Sequence, residues 1–382
     1  MKILHINCNY VGTALHRVMM KHLNMGSCEV IVFTPLWSEN QEKEFHANKN
    51  EILSVCFGRF DKLFYYAKQR KIIRAIKKKI NDIGQFDVIH AFTLMTDGNV
   101  AYKLSKEFKI PYFVAIRDTD INYFFRYKPY LRPKGIRIMH RANAVFFLSD
   151  TYREYVLDRF VPLKYREKIS EKCFVVPNGI DDFWFQNKYN DKPLDAVEKR
   201  LAEKKLSVIC VGKIIKRKNI PVLQKALQLL RDRGWEVEFN LIGKAEDKSE
   251  YEIIKKDQYT VCHPATNKEG LIDYYRKADI FVLVSHTETF GLVYAEAMSQ
   301  GLPVIYTRGQ GFDGQFQEGE VGYAVSDDDP NEIADAIMKV CADYSNKVHN
   351  ALNDVDKFRW DDISNRYRDF YERAEYRENQ EK

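Results

Sequence analysis

Ser285-His286-Thr287-Glu288-Thr289-Phe290-Gly291-Leu292-Val293-Tyr294-Ala295-Glu296-Ala297-Met298, followed by Gly301-Leu302-Pro303-Val304-Ile305, is the stretch around which the rest of the chain can be ordered. The apolar run Ile280–Val284 before it reads as a strand ending at Ser285, and Pro303–Tyr306 reads as the next strand. Glu288 falls in the loop after the first strand, and a helix is expected to begin near Phe290–Gly291. Two carboxylates therefore flank one helix N-terminus, Glu288 just before it and Glu296 inside its second turn. The unpaired amides of a first helical turn, with the helix dipole, make a ready site for an anion. Ordinary N-capping accounts for one such acid. It does not account for both acids together with Phe-Gly-Leu-Val and Gly-x-Pro-Val.

On both sides of this stretch, short apolar runs alternate with longer amphipathic ones, the pattern of parallel βαβ units. Strands are expected at Ser207–Val211, Glu236–Ile242 and Tyr259–Cys262 in the same half, and at Lys2–Asn7, Glu29–Phe33, Val88–His90, Tyr112–Ile116, Ala144–Leu148 and Cys173–Val176 in the first half. Asp97–Phe108 reads as a helix ahead of the strand at Tyr112. Asn178–Lys204 is polar, charged and without a clear period, a linker followed by a short helix. The expected organisation is two doubly wound, Rossmann-like α/β domains facing each other across a cleft: 1–190, 191–357, and a final segment 358–382. In that segment Trp360, Tyr367, Phe370/Tyr371 and Ala374 recur at helical spacing, so a last helix is expected to pack back on the first domain.

Composition narrows the classes. The chain has 382 residues with 45% hydrophobic and 30% charged, enough for sizeable cores and far from disordered or fibrous sequences. Lys and Arg total 60 against 54 Asp and Glu, a net +6 too small over this length to argue nucleic acid. The seven cysteines lie far apart with no CxxC or Cys/His ligand spacing, which suits reduced thiols of a cytoplasmic protein and no metal site. The N-terminus runs directly into a strand-like segment without a signal pattern, and no segment approaches the length of a membrane span.

A second loop carries chemistry. Val211-Gly212-Lys213-Ile214-Ile215-Lys216-Arg217-Lys218-Asn219 follows a strand and opens a helix, so two basic side chains can reach a diphosphate from one loop. With both loops in hand, the sequence resembles the retaining GT-B glycosyltransferases of family 4, whose hallmark Glu-(seven residues)-Glu is matched by Glu288 and Glu296. The resemblance implies that Glu288 contacts hydroxyls of a donor sugar and that Glu296 holds the nucleotide's ribose. It implies that amides from Thr289 and Phe290 through Gly291, Leu292 and Val293 bind sugar or phosphate. It places Lys218 at the family's Lys and Lys213 at its Arg, with Asn219 in place of Gly; Lys keeps the charge and loses the bidentate fork. Gly12 sits where the family has a glycine loop against the phosphates, and Val176-Pro177-Asn178-Gly179-Ile180-Asp181 resembles its turn at the end of the first domain. The Gly309–Gly322 loop is either a plain surface loop or, as in the family, a neighbour of the cleft.

In the first half, Arg117-Asp118-Thr119-Asp120 follows an expected strand and resembles the family's Arg-Gly-x-Asp variant. Arg117 and Asp120 are expected on the acceptor side of the cleft, unless they form an Arg–Asp pair that stabilises a loop. His90, ending a strand, either lines that cleft or is a packed structural histidine. His263 and His286 have no ligand partners in the pattern. Arg59–Lys79 is basic and interleaved with Leu63, Tyr66, Ile73, Ile76 and Ile80, and Tyr123–Arg132 is a second aromatic, basic cluster. Such faces either lie on anionic membranes or form a solvated helix and a packed loop.

The resemblance implies metal-independent, cofactor-free transfer with retention from a nucleotide diphosphate-sugar, UDP by family default, to a hydroxyl of a glycan or lipid-linked glycan in bacterial surface polysaccharide synthesis. The setting is the cytoplasm or its membrane face. Two rivals remain at this level: a nucleotide-sugar-binding protein of the same fold without turnover, and a nicotinamide oxidoreductase, against which the missing G-x-G-x-x-G after the first strand argues.

Overall fold

Seven short runs rich in Val, Ile and Phe pair in parallel in the computed structural model of the chain, which describes residues 1–25, 28–43 and 45–380. The first half contains β1 (Lys2–Ile6), α1 (Ala14–Asn24), β2 (Glu29–Leu36), α2 (Glu39–Lys43), β3 (Glu51–Val55), α3 (Tyr65–Ile83), β4 (Val88–Ala91), α4 (Asp97–Phe108), β5 (Tyr112–Ala115), α5 (Arg132–Arg141), β6 (Ala144–Phe147), α6 (Asp150–Phe160), α7 (Leu163–Ser170) and β7 (Cys173–Val175). Its sheet has the order β3-β2-β1-β4-β5-β6-β7. Ile3 lies opposite Val30 on one side and Val88 on the other. Every residue of β4, β5 and β6 is buried, as expected of parallel strands covered on both faces.

The second half contains α8 (Asp182–Gln186), α9 (Leu194–Ala202), β8 (Lys205–Val211), α10 (Ile220–Asp232), β9 (Glu236–Ile242), α11 (Lys248–Ile254), β10 (Thr260–His263), α12 (Lys268–Lys277), β11 (Ile280–Leu283), α13 (Leu292–Ser299), β12 (Val304–Thr307), β13 (Gly322–Val325), α14 (Pro330–Ala342) and α15 (Tyr344–Asp354). Its six-stranded sheet runs β10-β9-β8-β11-β12-β13, again parallel. The chain clusters into two units, Met1–Leu148 with Arg153–Pro177 and Trp360 onward, and Ser149–Tyr152 with Asn178–Arg359.

The final helix, α16 (Trp360–Gln380), belongs to the first unit and lies on α1. Trp360, Ile363, Tyr367, Tyr371 and Ala374 join one buried cluster with Met19, Met20, Leu23, Val30 and Phe146. Tyr367 meets Phe146 edge-on at 5.0 Å, and Phe370 packs on Phe174 at 4.5 Å. An aromatic stripe of this size covers the sheet face and removes it from water, which is why the helix docks.

Asn178–Lys204 differs from the expected linker. It is folded into the second unit as α8 and α9, with Trp184 buried. Lys192 is buried there as well and donates to the carbonyls of Ala278 (3.2 Å) and Gly301 (3.1 Å). Ile180, Trp184, Phe185, Val197 and Leu201, with one buried lysine, are scattered among polar residues and hold the segment without producing a helical period.

Candidate active site

In the second unit the loop after β8 and the loop after β11 meet. Gly212 and Gly243 bring the ends of β8 and β9 together: a Cβ on Gly243 would stand 1.8 Å from the Gly212 carbonyl oxygen, so only glycine fits. After that turn, Asn219 takes the left-handed conformation (φ +57°) at the start of α10. Asparagine tolerates this region because its short side chain finds local partners. Here Nδ2 donates to the carbonyls of Val284 (3.1 Å) and Asp327 (2.5 Å). The substitution of the family's glycine is thus accommodated by conformation and secured by two hydrogen bonds.

Lys218, one residue earlier, donates to Glu288 Oε2 at 2.5 Å, and both side chains are largely sheltered. Arg217 Nη1 lies 4.0 Å from the same carboxylate oxygen and donates to the Thr287 carbonyl. The Arg217 carbonyl in turn accepts from His286 N at 2.9 Å, so this residue grips the Glu288 loop from both its backbone and its side chain. Lys213 stands apart: it is exposed and pairs with Glu246 at 3.0 Å. Each of the two lysines therefore holds a carboxylate that a bound phosphate would have to replace.

The Gly309–Gly322 loop supports the same acid. Gln310 Oε1 accepts from Glu288 N (2.9 Å), and Gly311 N donates to the Glu288 carbonyl (2.8 Å). A Cβ on Gly311 would sit 1.9 Å from the Thr289 carbonyl oxygen. Gly291 adopts φ +79° as the N-cap of α13, where a side chain would strike Tyr294. Leu292 and Val293 form the first turn of that helix, while Phe290 is buried between Phe312 and Phe358. Glu296, half-buried on α13, is pushed up to about 7 by burial and by the nearby charge of Asp181; hydrogen bonds from Tyr275 and Trp184 pull the other way. His286 Nδ1 faces Asp327 at 2.6 Å, and His263 Nε2 faces Asn240 at 2.7 Å. Among the described residues no group of three His, Cys, Asp or Glu is arranged to hold a metal ion.

In the first unit the singled-out residues point inward. Asp120 is fully buried and accepts from Leu94 N (2.9 Å), Met95 N (2.8 Å) and Arg117 N (2.9 Å). Burial pushes its carboxyl up to about 6. Arg117 Nε donates to the Phe92 carbonyl at 3.3 Å, and Tyr367 hydrogen-bonds its guanidinium. His90 is fully buried, 2.5 Å from the Tyr371 hydroxyl and stacked on Phe92; desolvation holds it well below its usual range and therefore neutral. Gly12 is exposed at the end of a short turn, and Thr13 after it caps α1 through Leu15 N.

The basic segment is helical over α3, but its buried stripe is Tyr65, Gln69, Ile72 and Ile76. Leu63 and Tyr66, expected on the apolar face, are 72% and 55% exposed, beside Phe60 and Phe64 at 80% and 65%. Phe60, Leu63 and Phe64 precede the helix, and Tyr66 follows the buried Tyr65 by one residue, which turns it to the outer face. Tyr127 and Tyr130 in the second cluster are also exposed. Among the described residues no helix is long and apolar enough to cross a membrane.

Residues 17–182 match the family described as Glycosyltransferase Family 4, and residues 191–357 match Glycosyl transferases group 1. The capsular polysaccharide biosynthesis glycosyltransferase CapM of Staphylococcus aureus is 28% identical over 62% of this chain and 64% of its own length. The putative teichuronic acid biosynthesis glycosyltransferase TuaC of Bacillus subtilis is 28% identical over 62% of this chain and 57% of its length. The chain thus spans less than two thirds of these curated relatives. Among solved structures, sucrose-phosphate synthase of Thermosynechococcus elongatus superposes with a TM-score of 0.75 at 19% identity, covering 98% of both chains. Anabaena HepE in complex with UDP and glucose superposes with 0.64 at 16% identity, over 97% of this chain and 98% of its own. These likenesses show the GT-B fold.

Proposed function

Because the chain belongs to the glycosyltransferases of group 1 and family 4, we propose that it transfers a sugar, with retention, from a nucleotide diphosphate-sugar to a hydroxyl of a glycan or lipid-linked glycan acceptor. The observation that carries this reading is the pairing of Lys218 with Glu288 at the N-terminus of α13, with Glu296 on the same helix. A departing diphosphate needs positive charge placed where its negative charge develops, and such preorganised groups are worth more in a sheltered site than in water. Lys218, Lys213 and the first amides of α13 fill that role. As phosphate takes Lys218, Glu288 is released to accept hydrogen bonds from the sugar. Glu296, in its carboxylate form, accepts from the ribose hydroxyls. The acceptor's proton goes to the donor's phosphate oxygen, so no protein base is assigned, and no metal or cofactor takes part. His90 and Asp120 have no exposed surface and are given no contact with the acceptor.

UDP is the proposed nucleotide, supported by the UDP complexes of HepE. A surface polysaccharide is the proposed product, supported by the names of the Staphylococcus and Bacillus relatives. The exposed Phe60, Phe64, Tyr66 and neighbouring lysines and arginines of α3 are proposed to rest on the anionic cytoplasmic face of the membrane. A screen of nucleotide sugars for protein-dependent release of nucleotide diphosphate, with and without EDTA, tests the reading. Release with one donor and little change in EDTA is expected. Tight donor binding without any release would leave a nucleotide-sugar-binding protein instead, and complete loss in EDTA would sink the metal-free assignment.

A further inference from the structure

We propose that the cavity between α4, α5 and α7 is a binding site for a ligand carrying several phosphate or carboxylate groups. The cavity belongs wholly to the first unit and measures about 910 Å³, within the range of sites that hold small molecules. Its wall carries Arg132, Arg137, His140, Arg141 and Lys164, and not one of its lining residues is acidic.

Positive charge of this density is ordinarily neutralised by neighbours, and here it is not. Acids on the flanking helices are engaged elsewhere, Glu107 with Lys77, Glu154 with Arg153 and Asp158 with Arg166. Glu167 of α7 and Glu171 just after it are exposed and line no part of the cavity. Two nearby cations do have structural duties: Arg132 Nε donates to the Phe125 carbonyl (2.7 Å), and Lys172 ties down the carbonyls of His140 and Ala142 at the end of α5. Arg137, Arg141 and Lys164 are exposed and form no ion pair among the described residues. The crowding is felt by adjacent groups. Lys134 is held below its usual range by burial and then by Lys103 and Arg137, and His140 by burial and then by Lys172 and Arg141. A concave wall with charge of one sign concentrates counter-ions, and arginine forks match phosphate and carboxylate oxygens in pairs.

The rest of the wall suits a ligand with apolar faces. Tyr102, Phe160 and Tyr165 line it beside Ile136 and two prolines. Each ring already carries a cation, Lys134 over Tyr102 at 5.2 Å, Arg132 over Phe160 at 5.3 Å and Lys164 over Tyr165 at 5.0 Å. Rings and cations alternating around a cavity of this volume fit an acidic oligosaccharide or the headgroup of an anionic lipid, which share the required chemistry. Its lining shares no residue with the Lys218–Glu288 loops, and the proposal requires nothing of the transfer reaction.

The test uses the full chain without donor, so its failure is distinct from failure of the transferase reading. Trigalacturonate is titrated calorimetrically at low ionic strength, with maltotriose as the neutral probe of similar size. Vesicles containing phosphatidylglycerol are co-sedimented in parallel. The variant Arg137→Gln/Arg141→Gln/Lys164→Gln is compared with Lys225→Gln/Lys248→Gln/Lys256→Gln, which removes the same charge from exposed positions of the second unit. Saturable trigalacturonate binding that falls at least tenfold in the first variant and not in the second is expected, with no binding of maltotriose. Vesicle binding lost only in the first variant, without trigalacturonate binding, supports the site with a lipid headgroup as its source. Equal trigalacturonate binding by wild type and the cavity variant overturns the proposal. So does equal affinity for maltotriose, or vesicle binding that survives in the cavity variant without trigalacturonate binding, or saturable binding of neither anionic probe. Circular dichroism of both variants confirms that the fold is intact, as substitutions at exposed side chains should leave it.

Discussion

Asp120 in the first unit and Glu288 in the second both follow a parallel strand of a doubly wound sheet, and they are used in opposite ways. Asp120 is sealed from solvent with three backbone amides as partners. Glu288 has its own backbone pinned by Gln310 and Gly311, while its carboxylate faces two cationic side chains, Lys218 and Arg217, and takes a single amide, that of the adjacent Thr289 (3.1 Å). An acid bound to backbone holds loops in place and cannot be exchanged for a ligand without unfolding them. An acid bound to side chains can change partner. An acidic side chain after the same kind of strand therefore supports the fold in one unit and is proposed for chemistry in the other.

Breaking the first half of this comparison should have the largest effect. Asp120→Ala leaves three buried amides without an acceptor, and the cost is expected at about 3–5 kcal/mol. Urea unfolding followed in the first unit measures it, and an unchanged midpoint would remove the structural role assigned to this acid. Lys218→Ala tests the other half. It should lose ~2–4 kcal/mol of transition-state stabilisation in kcat/KM, while stability falls by no more than about 1 kcal/mol because Arg217 stays near the orphaned carboxylate. A stability loss matching that of Asp120→Ala would erase the distinction between the two regions.

Glu296→Gln should weaken nucleotide diphosphate binding by ~1.5–3 kcal/mol, the scale of a charge-assisted hydrogen bond, with a smaller effect on turnover of bound donor. The carboxyl is held at about 7, so the accepting form is present above that value and is lost as pH falls through it. Nucleotide affinity is expected to rise as pH climbs from 6 to 8 in the wild type and to stay level in the variant. Titration calorimetry at each pH decides it.

Arg217→Ala should cost about 1 kcal/mol in kcat, since it removes one hydrogen bond that orients the Glu288 loop and leaves the loop's other contacts. Partial recovery with Arg217→Lys, at unchanged KM, would sharpen its role as a positioning residue; a change confined to KM would point to direct donor contact. Smallest for folding is the quadruple change Lys71→Gln, Arg74→Gln, Lys77→Gln and Lys78→Gln on the exposed face of α3. Its ion pairs, such as Lys71–Asp61 at 2.7 Å, lie at the surface, and total stability should move by less than about 1 kcal/mol. Co-sedimentation with anionic vesicles should nevertheless drop, most visibly at low salt, if this face meets the membrane. Equal pelleting of variant and wild type would leave it a solvated helix.

Legibility followed the kind of interaction involved. The central strands could be read because β4, β5, β6, β11 and β12 are buried on both faces and had to be continuous apolar runs. The edge strand β3 is only half-buried, and its Glu-Ile-Leu-Ser-Val carries a weaker pattern. β13 opens on a glycine pressed against the Val304 carbonyl, which reads as a turn. The α16 stripe was visible because a helix that covers a sheet needs aromatics at helical spacing. Residues that support Glu288 left no such trace. Gln310, Gly311 and Arg217 act through single hydrogen bonds between segments distant in sequence, and a one-dimensional period carries no record of such bonds.

By itself, then, the sequence determined the central elements, their parallel βαβ character and the pair of acids flanking one helix, because burial and helix geometry repeat along the chain at fixed spacing. Only the tertiary structure decided which charges are exchangeable. Asp120 and Glu288, or Lys192 and Lys218, are chemically alike in the sequence. What separates them is whether folding surrounds each with backbone groups that satisfy it permanently or with side chains that a ligand can displace.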